Sequence, residues 1–124
     1  MQSAYIGRFA PSPTGPLHLG SLFTALASYL DARSQQGKWL LRVDDLDTPR
    51  NKEGSVAAIL KTLETFGLCW DDAVYYQSQH IDSYESFLLE LEQCRLTYRC
   101  SCSRKSLEDL HSVDSPESKH TIYP

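Results

Sequence analysis

Apolar residues recur along the chain with the periods of strands and helices. The short apolar run of residues 4–9 predicts a first strand, and residues 39–43 predict a second one. Residues 18–36 between them predict a helix that ends at Gly37. Strand, helix and strand joined by short links predict a βαβ unit with parallel strands and a right-handed crossover. The helical spacing predicts one buried face for the helix, made of Leu19, Leu22, Phe23, Leu26, Tyr29 and Leu30.

The same patterning predicts three further helices and one further strand. Asn51 is the expected N-cap of a helix that ends at about Phe66, and another helix is expected over residues 80–93. Residues 96–101 alternate like a strand, and Ser103 is the expected cap of a short helix to about His111. The expected buried stripes are Val56, Ile59, Leu60, Leu63 and Phe66 on the second helix and Tyr84, Phe87, Leu88 and Leu91 on the third.

Composition limits the size of the domain and the partners that this α/β pattern allows. The chain has 124 residues, enough for one domain with a modest core, and its formal net charge of −4 gives no general attraction for nucleic acid. No apolar run approaches the ~18 residues of a transmembrane helix, and the first residues do not resemble a signal peptide. Four cysteines without a secretion signal indicate a reducing compartment, so we expect a cytoplasmic protein with no membrane partner.

A stiff loop joins the first strand to the first helix. Pro11, Pro13 and Pro16 each fix φ, remove a donor and bias the preceding residue toward extended geometry. The helix start that follows offers free N–H groups and a positive dipole end, which suit a phosphate, and His18 can add a hydrogen bond. The alternative interpretation is a proline-rich connection with a surface histidine.

Polar residues follow both predicted parallel strands. Because ligands bind at the carboxyl ends of the strands in open α/β sheets, residues 8–12 and 42–45 are expected to meet at one site. Cationic Arg8 and Arg42, the Ser12 hydroxyl and the Asp44 carboxylate suit a zwitterion, with guanidinium for its carboxylate and acid for its ammonium group. The alternative is that Arg42 and Asp44 form a surface pair, while Asp45 and Asp47 are turn and cap residues near Pro49.

A cysteine pair lies near the end of the chain. Cys100 and Cys102 are two residues apart, so a local turn can bring both sulfurs to one zinc ion. Zinc would need two more ligands, and the alternative is a pair of buried thiols. The remaining candidate ligands in the chain are Cys94, His111, His120 and Tyr123.

Together, the motifs of residues 8–15, 18–21 and 42–47 make the chain similar to the glutamyl branch of the class I aminoacyl-tRNA synthetases. Residues 67–71 and 76–79 extend the resemblance over essentially the whole chain. It implies an α/β fold: residues 1–95 as the first half of a Rossmann-like catalytic domain, with a parallel sheet and flanking helices, and residues 96–124 as the start of a zinc-binding insertion. Residues 20–30 and 123–124 most resemble the short paralogues that glutamylate queuosine.

The resemblance implies roles for individual residues. His18, Gly20 and Ser21 match the catalytic "HIGH" signature, within Pro11 to Ser21, that lies against ATP, and Ser21 replaces its second histidine. Asp44 matches the acid that contacts the ammonium group, where the family generally has glutamate. The residues that match the L-glutamate-binding segment are Arg8, Phe9, Ala10, Pro11 and Ser12, and those that match zinc ligands are Cys100, Cys102 and Tyr123.

The reaction that the resemblance implies uses ATP with magnesium to activate L-glutamate as glutamyl-adenylate, with zinc as a structural cofactor. A monomeric enzyme would then pass glutamate to the queuosine base in the anticodon loop of tRNA(Asp). The fourth zinc ligand, the second signature and the remaining strands of the sheet are expected after Pro124. Two alternatives are the catalytic domain of an ordinary glutamyl-tRNA synthetase and an inactive, truncated nucleotide- or zinc-binding module.

Overall fold

A computed structural model describes residues 5–103 and residue 105. They fall into two compact units that divide between Glu85 and Ser86. Within the described residues, no helix has the length and apolar character needed to cross a membrane. In chain order the elements are β1 (Ile6–Phe9), α1 (Leu19–Ser34), β2 (Lys38–Val43), a 3₁₀ helix (Thr48–Arg50), α2 (Ser55–Thr65), β3 (Tyr75–Tyr76), a second 3₁₀ helix (Gln77–His80) and α3 (Ile81–Gln93).

The three strands form a parallel sheet in the order β1-β2-β3. Phe9 pairs with Leu41, and Arg42 pairs with Tyr75, so the predicted βαβ unit of parallel strands is confirmed. One face of β1 and β2 is buried, because side chains of a strand alternate between the two faces of the sheet. The buried apolar core on that side is Phe9, Ala25, Ala32, Trp39, Leu41, Ile59, Leu63 and Leu68.

Helix α1 buries the predicted face only in part: Leu22 and Tyr29 pack against the core, but Leu26 and Leu30 are exposed. Ala25 and Ala32 are fully buried, whereas Leu19 and Phe23 are 83% and 70% exposed. The small residues allow α1 to lie close to the sheet: a Cβ on Gly7 of β1 would be 3.0 Å from the Ala32 Cβ. The larger side chains instead form an apolar groove with the segment that follows α2, lined by Leu19, Leu22, Phe23, Leu26, Phe66 and Leu68.

Helix ends also differ from the expected ones. The first residue of α2 is Ser55 and its N-cap is Gly54, so the prediction that Asn51 caps this helix was wrong. The Asn51 amide instead donates to the Asp45 carbonyl, 2.8 Å away. Helix α1 ends before Gln36, which takes the left-handed conformation (φ 53°) that was expected at Gly37. Gly67, at φ 70°, follows the end of α2 as expected, and its N–H donates to the Glu64 carbonyl.

The later elements are less regular than predicted. Residues 96–101 form no strand, and the expected α3 stripe is exposed at Phe87, Leu88 and Leu91. The expected helix to His111 lies outside the described residues apart from Ser103 and Lys105. Alternation in 96–101 was therefore an insufficient signal, since a strand also needs a neighbour that pairs with its backbone.

One carboxylate connects the end of α1, the start of β2 and the segment before β3. Asp71 accepts hydrogen bonds from Arg33 Nη1 and from the Trp39 N–H, each at 2.7 Å. Its own N–H donates to the Trp39 carbonyl at 2.8 Å. Arg33 also donates to the carbonyls of Gly37 and Cys69 and lies 4.9 Å from the Tyr29 ring centroid. The hydrogen bond from Arg33, followed by that from Trp39, lowers the pKa of the Asp71 carboxyl.

The buried face of α1 can be tested by two substitutions in the 124-residue chain. Ala25→Leu places extra methylenes against the sheet and should lower the free energy of unfolding by about 1–3 kcal/mol. Phe23→Ala removes a large but exposed side chain and should change it by no more than about 0.5 kcal/mol. Urea denaturation measures both, and a larger loss for Phe23→Ala than for Ala25→Leu would contradict the observed packing.

The Asp71 contacts predict an acid-dependent stability. Because the folded-state pKa is below the unfolded value of about 3.9, the stabilisation is fully present above that value and is lost as the pH falls through the folded pKa. Asp71→Asn should therefore be less stable than the unsubstituted chain at neutral pH, and the difference should shrink below about pH 4. Denaturation across this pH range measures it. Asp72→Asn is the matched control, because Asp72 pairs with Lys38 in an exposed position; an equal effect of the two substitutions would contradict the prediction.

Candidate active site

A cavity of about 330 Å³ lies between the end of β1 and the start of α1. Its lining comes from the proline-rich loop and from the first turns of the helix, so the cavity lies at the carboxyl end of a parallel strand. None of the described residues that line it is a lysine or an arginine. The lining residues are Phe9, Ala10, Pro11, Ser12, Thr14, Gly15, Pro16, Leu17, His18, Ser21 and Thr24.

Backbone hydrogen bonds hold the proline-rich loop against the chain that follows β2. The Asp44 N–H donates to the Pro11 carbonyl at 3.0 Å, and the Lys52 N–H donates to the Pro13 carbonyl at 2.9 Å. The two strand ends therefore lie side by side as expected, but none of residues 42–45 lines the cavity, so their sharing of one site stays a prediction. Since a proline has no N–H, the loop is fastened through its carbonyl groups.

His18 is the N-cap residue of α1 and pairs with Ser21. Its extended backbone (φ −84°, ψ 168°) precedes the helix, and its Nδ1 accepts a hydrogen bond from the Ser21 N–H at 3.1 Å. The Ser21 hydroxyl lies 3.0 Å from Nε2 of the same ring. Both side chains line the cavity. One turn later, the Thr24 hydroxyl donates to the Gly20 carbonyl at 3.0 Å.

Arg8 lies on the opposite face of the sheet from Phe9. It is exposed, it does not line the cavity, and it has no ion pair with another described residue. Phe9 is 7% exposed and stacks on Trp39, so its ring belongs mainly to the core, although it borders the cavity. The five residues of the predicted glutamate segment thus do not share one face.

Asp44 is already paired in the structure. Arg42 donates to its carboxylate through Nε at 2.5 Å and through Nη2 at 3.0 Å. The two side chains are 30% and 25% exposed, which confirms the alternative that they form a pair. Since a carboxylate has about four lone-pair sites, two bonds from Arg42 leave acceptor capacity on Asp44. The hydrogen bond to Asp44 raises the pKa of Arg42.

Asp45 and Asp47 have different partners. The Asp45 carboxylate accepts from the Ser78 N–H at 2.8 Å and from its hydroxyl at 2.6 Å, which ties the end of β2 to the 3₁₀ helix after β3. Asp47 precedes the other 3₁₀ helix and pairs with Arg50, so its expected position as a cap residue is confirmed. Sequence reasoning missed the Asp45–Ser78 contact, because no local spacing links residues 33 positions apart.

Further aromatic residues lie beside β3. Tyr75 stacks on His80, with ring centroids 4.0 Å apart, and its hydroxyl is 3.0 Å from that of Tyr84. This hydrogen bond raises the pKa of Tyr84. The sequence pattern gave no signal for this stacking.

The two expected zinc-binding cysteines are exposed thiols in the second compact unit. The Cys102 N–H points to Cys100 Sγ at 3.4 Å, which shows a local turn between them. Among the residues that the structure describes, no three histidine, cysteine, aspartate or glutamate side chains are grouped as a metal would need. Tyr123, like His111 and His120, lies outside the described residues.

Comparison with known proteins gives relatives for this arrangement. The chain is 56% identical over 109 residues to a protein of Dechloromonas aromatica (strain RCB) named glutamyl-Q tRNA(Asp) synthetase, covering 88% of this chain and 36% of that protein. It is 52% identical over 120 residues to a protein of the same name from Prochlorococcus marinus (strain MIT 9303), covering 97% and 38%. The chain thus spans little more than a third of the length of these relatives.

Solved structures agree with this result. A glutamate tRNA ligase from Elizabethkingia meningosepticum CCUG26117, crystallised in complex with its amino acid, is 35% identical with a TM-score of 0.70, over 90% of this chain and 24% of that one. The fold is thus that of a class I synthetase catalytic domain, with a parallel sheet and helices. The family model described as "tRNA synthetases class I (E and Q), catalytic domain" matches residues 6–122. The chain therefore belongs to the class I glutamyl and glutaminyl tRNA synthetase family, within its catalytic domain.

Proposed function

We propose that the complete protein carrying this chain activates L-glutamate with ATP and transfers it to the queuosine base in the anticodon loop of tRNA(Asp). The glutamate carboxylate attacks the α-phosphate of ATP, a new carboxyl–phosphate bond forms, and the bond to pyrophosphate breaks. The observation that carries the proposal is the cavity between the end of β1 and the N-terminus of α1, in a chain whose relatives are named for this reaction. Catalysis of this kind depends on positioning and charge stabilisation rather than on a covalent nucleophile.

The cavity is the proposed position of the ATP phosphates. Its hydroxyl groups and the start of α1 supply hydrogen-bond donors and a positive dipole end. Because the part of the lining that the structure describes has no lysine or arginine, most of the phosphate charge has to be neutralised by other groups. Magnesium and the lysine of the family's second signature would supply that charge. His18, Gly20 and Ser21 are the proposed ATP-contacting segment.

Glutamate is proposed to lie at the end of β1, with Ala10, Pro11 and Ser12 forming its backbone wall. Arg8 has no ion pair with a described residue, so its guanidinium is free to bind a substrate carboxylate in a bidentate manner. Asp44 retains acceptor sites for the ammonium group while Arg42 holds its carboxylate in place. Arg42 itself is occupied by Asp44, which leaves Arg8 as the better candidate for the substrate carboxylate.

Zinc is proposed as a structural ion held by Cys100, Cys102 and Tyr123 in an insertion that begins at about residue 96. The turn that directs the Cys102 N–H to Cys100 Sγ, together with the exposure of both thiols, fits two ligands of a tetrahedral site. Zinc would fix the fold of this segment by joining residues that are distant in sequence.

The transfer step is tested by charging assays with the complete protein. Radiolabelled glutamate should appear on tRNA(Asp) that contains queuosine, and not on the same tRNA without queuosine or on tRNA(Glu). Glutamate-dependent exchange of pyrophosphate into ATP, measured without tRNA, tests the activation step separately. Charging of tRNA(Glu) alone would favour the ordinary glutamyl-tRNA synthetase, and absence of both activities would favour an inactive module.

Arg8 provides a test of the glutamate site. Arg8→Ala should raise the KM for glutamate in pyrophosphate exchange by roughly 10-fold to 100-fold, the range for one hydrogen-bonded charged contact. Arg8→Lys should restore only part of this loss, since an ammonium group cannot bind a carboxylate with a planar fork. Arg50→Ala is the matched control, because Arg50 is an exposed arginine paired with Asp47. An unchanged KM in Arg8→Ala would exclude Arg8 from the glutamate site.

A further inference from the structure

The carboxylate of Asp45 joins the end of β2 to the 3₁₀ helix that follows β3. It accepts hydrogen bonds from the Ser78 N–H at 2.8 Å and from the Ser78 hydroxyl at 2.6 Å. Hydrogen bonds to an ionised carboxylate are shorter and stronger than those between neutral groups. Because two donors of one residue meet this carboxylate, both its position and its direction are fixed.

The backbone on each side of the Asp44–Asp45 peptide bond is held as well. The Asp44 N–H donates to the Pro11 carbonyl at 3.0 Å, and the Asn51 amide donates to the Asp45 carbonyl at 2.8 Å. Pro11 belongs to the proline-rich loop, and Asn51 follows the first 3₁₀ helix. The Ser78 bonds therefore complete a set that holds the two aspartates from three neighbouring segments.

The two adjacent carboxylates have different tasks. Asp44 accepts two bonds from Arg42 and keeps acceptor sites for a ligand, whereas Asp45 is engaged with Ser78. An aspartate has fewer rotatable bonds than the glutamate that the family generally has at position 44. The reach of the Asp44 carboxylate therefore follows its backbone closely, and whatever fixes that backbone also fixes where the carboxylate can lie.

We propose that Asp45 is a positioning residue for the glutamate site: through Ser78 it holds the backbone from which the Asp44 carboxylate accepts the ammonium group of the substrate. The inference rests on the proposed function, since it requires glutamate at the end of β1 with its ammonium group at Asp44. It adds the 3₁₀ helix after β3 to the elements that determine the site, although Ser78 itself does not contact the substrate.

Pyrophosphate exchange without tRNA, measured with the complete protein over a range of glutamate and ATP concentrations, tests this role. Asp45→Ala should raise the KM for glutamate roughly 10-fold, because a small displacement of a charged contact is costly, and should change the KM for ATP by less than about 2-fold. An unchanged KM for glutamate, or an equal rise in both KM values, would overturn the proposal.

Two milder variants grade the effect. Ser78→Ala removes the hydroxyl bond but keeps the backbone N–H, so it should raise the KM for glutamate by a smaller factor than Asp45→Ala. Asp45→Asn keeps one acceptor oxygen and gains a donor for the Ser78 hydroxyl, so it should restore part of the loss. A larger rise in either variant than in Asp45→Ala would contradict a role that depends on these two bonds.

A double variant separates positioning from direct contact with the substrate. Asp44→Ala removes the proposed acceptor of the ammonium group, so it should raise the KM for glutamate by itself. Adding Asp45→Ala to it should cause no further rise, because Asp45 then has no carboxylate to position. Losses that multiply would show that Asp45 acts independently of Asp44 and would overturn the proposal.

Asp47→Ala is the matched control, because it removes a carboxylate from the same segment that is more exposed and pairs with Arg50. It should leave the KM for glutamate unchanged. An equal rise in Asp47→Ala would assign the effect to the lost negative charge rather than to the Ser78 bonds, and would overturn the assignment to Asp45.

Urea denaturation of each variant distinguishes positioning from stability. A loss of stability in Asp45→Ala without a change in the KM for glutamate would show a purely structural role and would overturn the proposal. Absence of glutamate-dependent exchange in the unsubstituted protein would overturn the proposed function, and this inference with it. Normal exchange in the unsubstituted protein together with an unchanged KM in Asp45→Ala would overturn this inference alone.

Discussion

The contacts of the Asp71 carboxylate determine how the βαβ unit closes. Arg33 brings the last turn of α1, and the Trp39 N–H brings the first part of β2, to the same acid. Because the Asp71 N–H also returns to the Trp39 carbonyl, the segment before β3 is fixed to the sheet by backbone as well as by side chain. Fixing Trp39 in this way also positions part of the core, because its ring contacts Phe9 and Tyr29. Removal of this carboxylate would leave a half-buried guanidinium and a backbone N–H without their acceptor.

The register of β1 and β2 positions the residues that follow the two strands. With Phe9 opposite Leu41, β1 and β2 end side by side, and the next residues connect through the Asp44 N–H and the Pro11 carbonyl. The proline-rich loop cannot donate at its proline positions, so its placement depends on acceptor groups and on donors elsewhere in the chain. The cavity is therefore shaped by the sheet rather than by the loop alone. Arg8 and Phe9 are neighbours on one strand but lie on opposite faces of that sheet: Phe9 packs in the core while Arg8 is exposed.

Sequence periodicity predicted the elements better than it predicted their packing. The parallel pair, α1 and most of α2 follow from apolar spacing, and the meeting of residues 8–12 with residues 42–45 follows from the topology. The buried face of α1 was predicted only in part, because hydrophobic size was taken as a measure of burial, whereas the close approach of Gly7 and Ala32 selects the small residues. The partners of individual side chains could not be predicted from the sequence either. The Asp45–Ser78 bond joins distant positions, and the Arg42–Asp44 pair was one of two alternatives that spacing alone could not separate.

Helix α1 contributes both to the stability of the fold and to the lining of the cavity. Its last turn is held by Asp71, its middle packs on the sheet through alanines, and its first turn presents His18 and Ser21 to the cavity. A capping residue normally satisfies only the backbone, but here the capping imidazole has a second nitrogen, and the helix geometry brings the residue three positions later within its reach. The bond from the Ser21 N–H to Nδ1 holds the ring against the first turn of α1, so the same bond that caps the helix also places the imidazole beside the cavity.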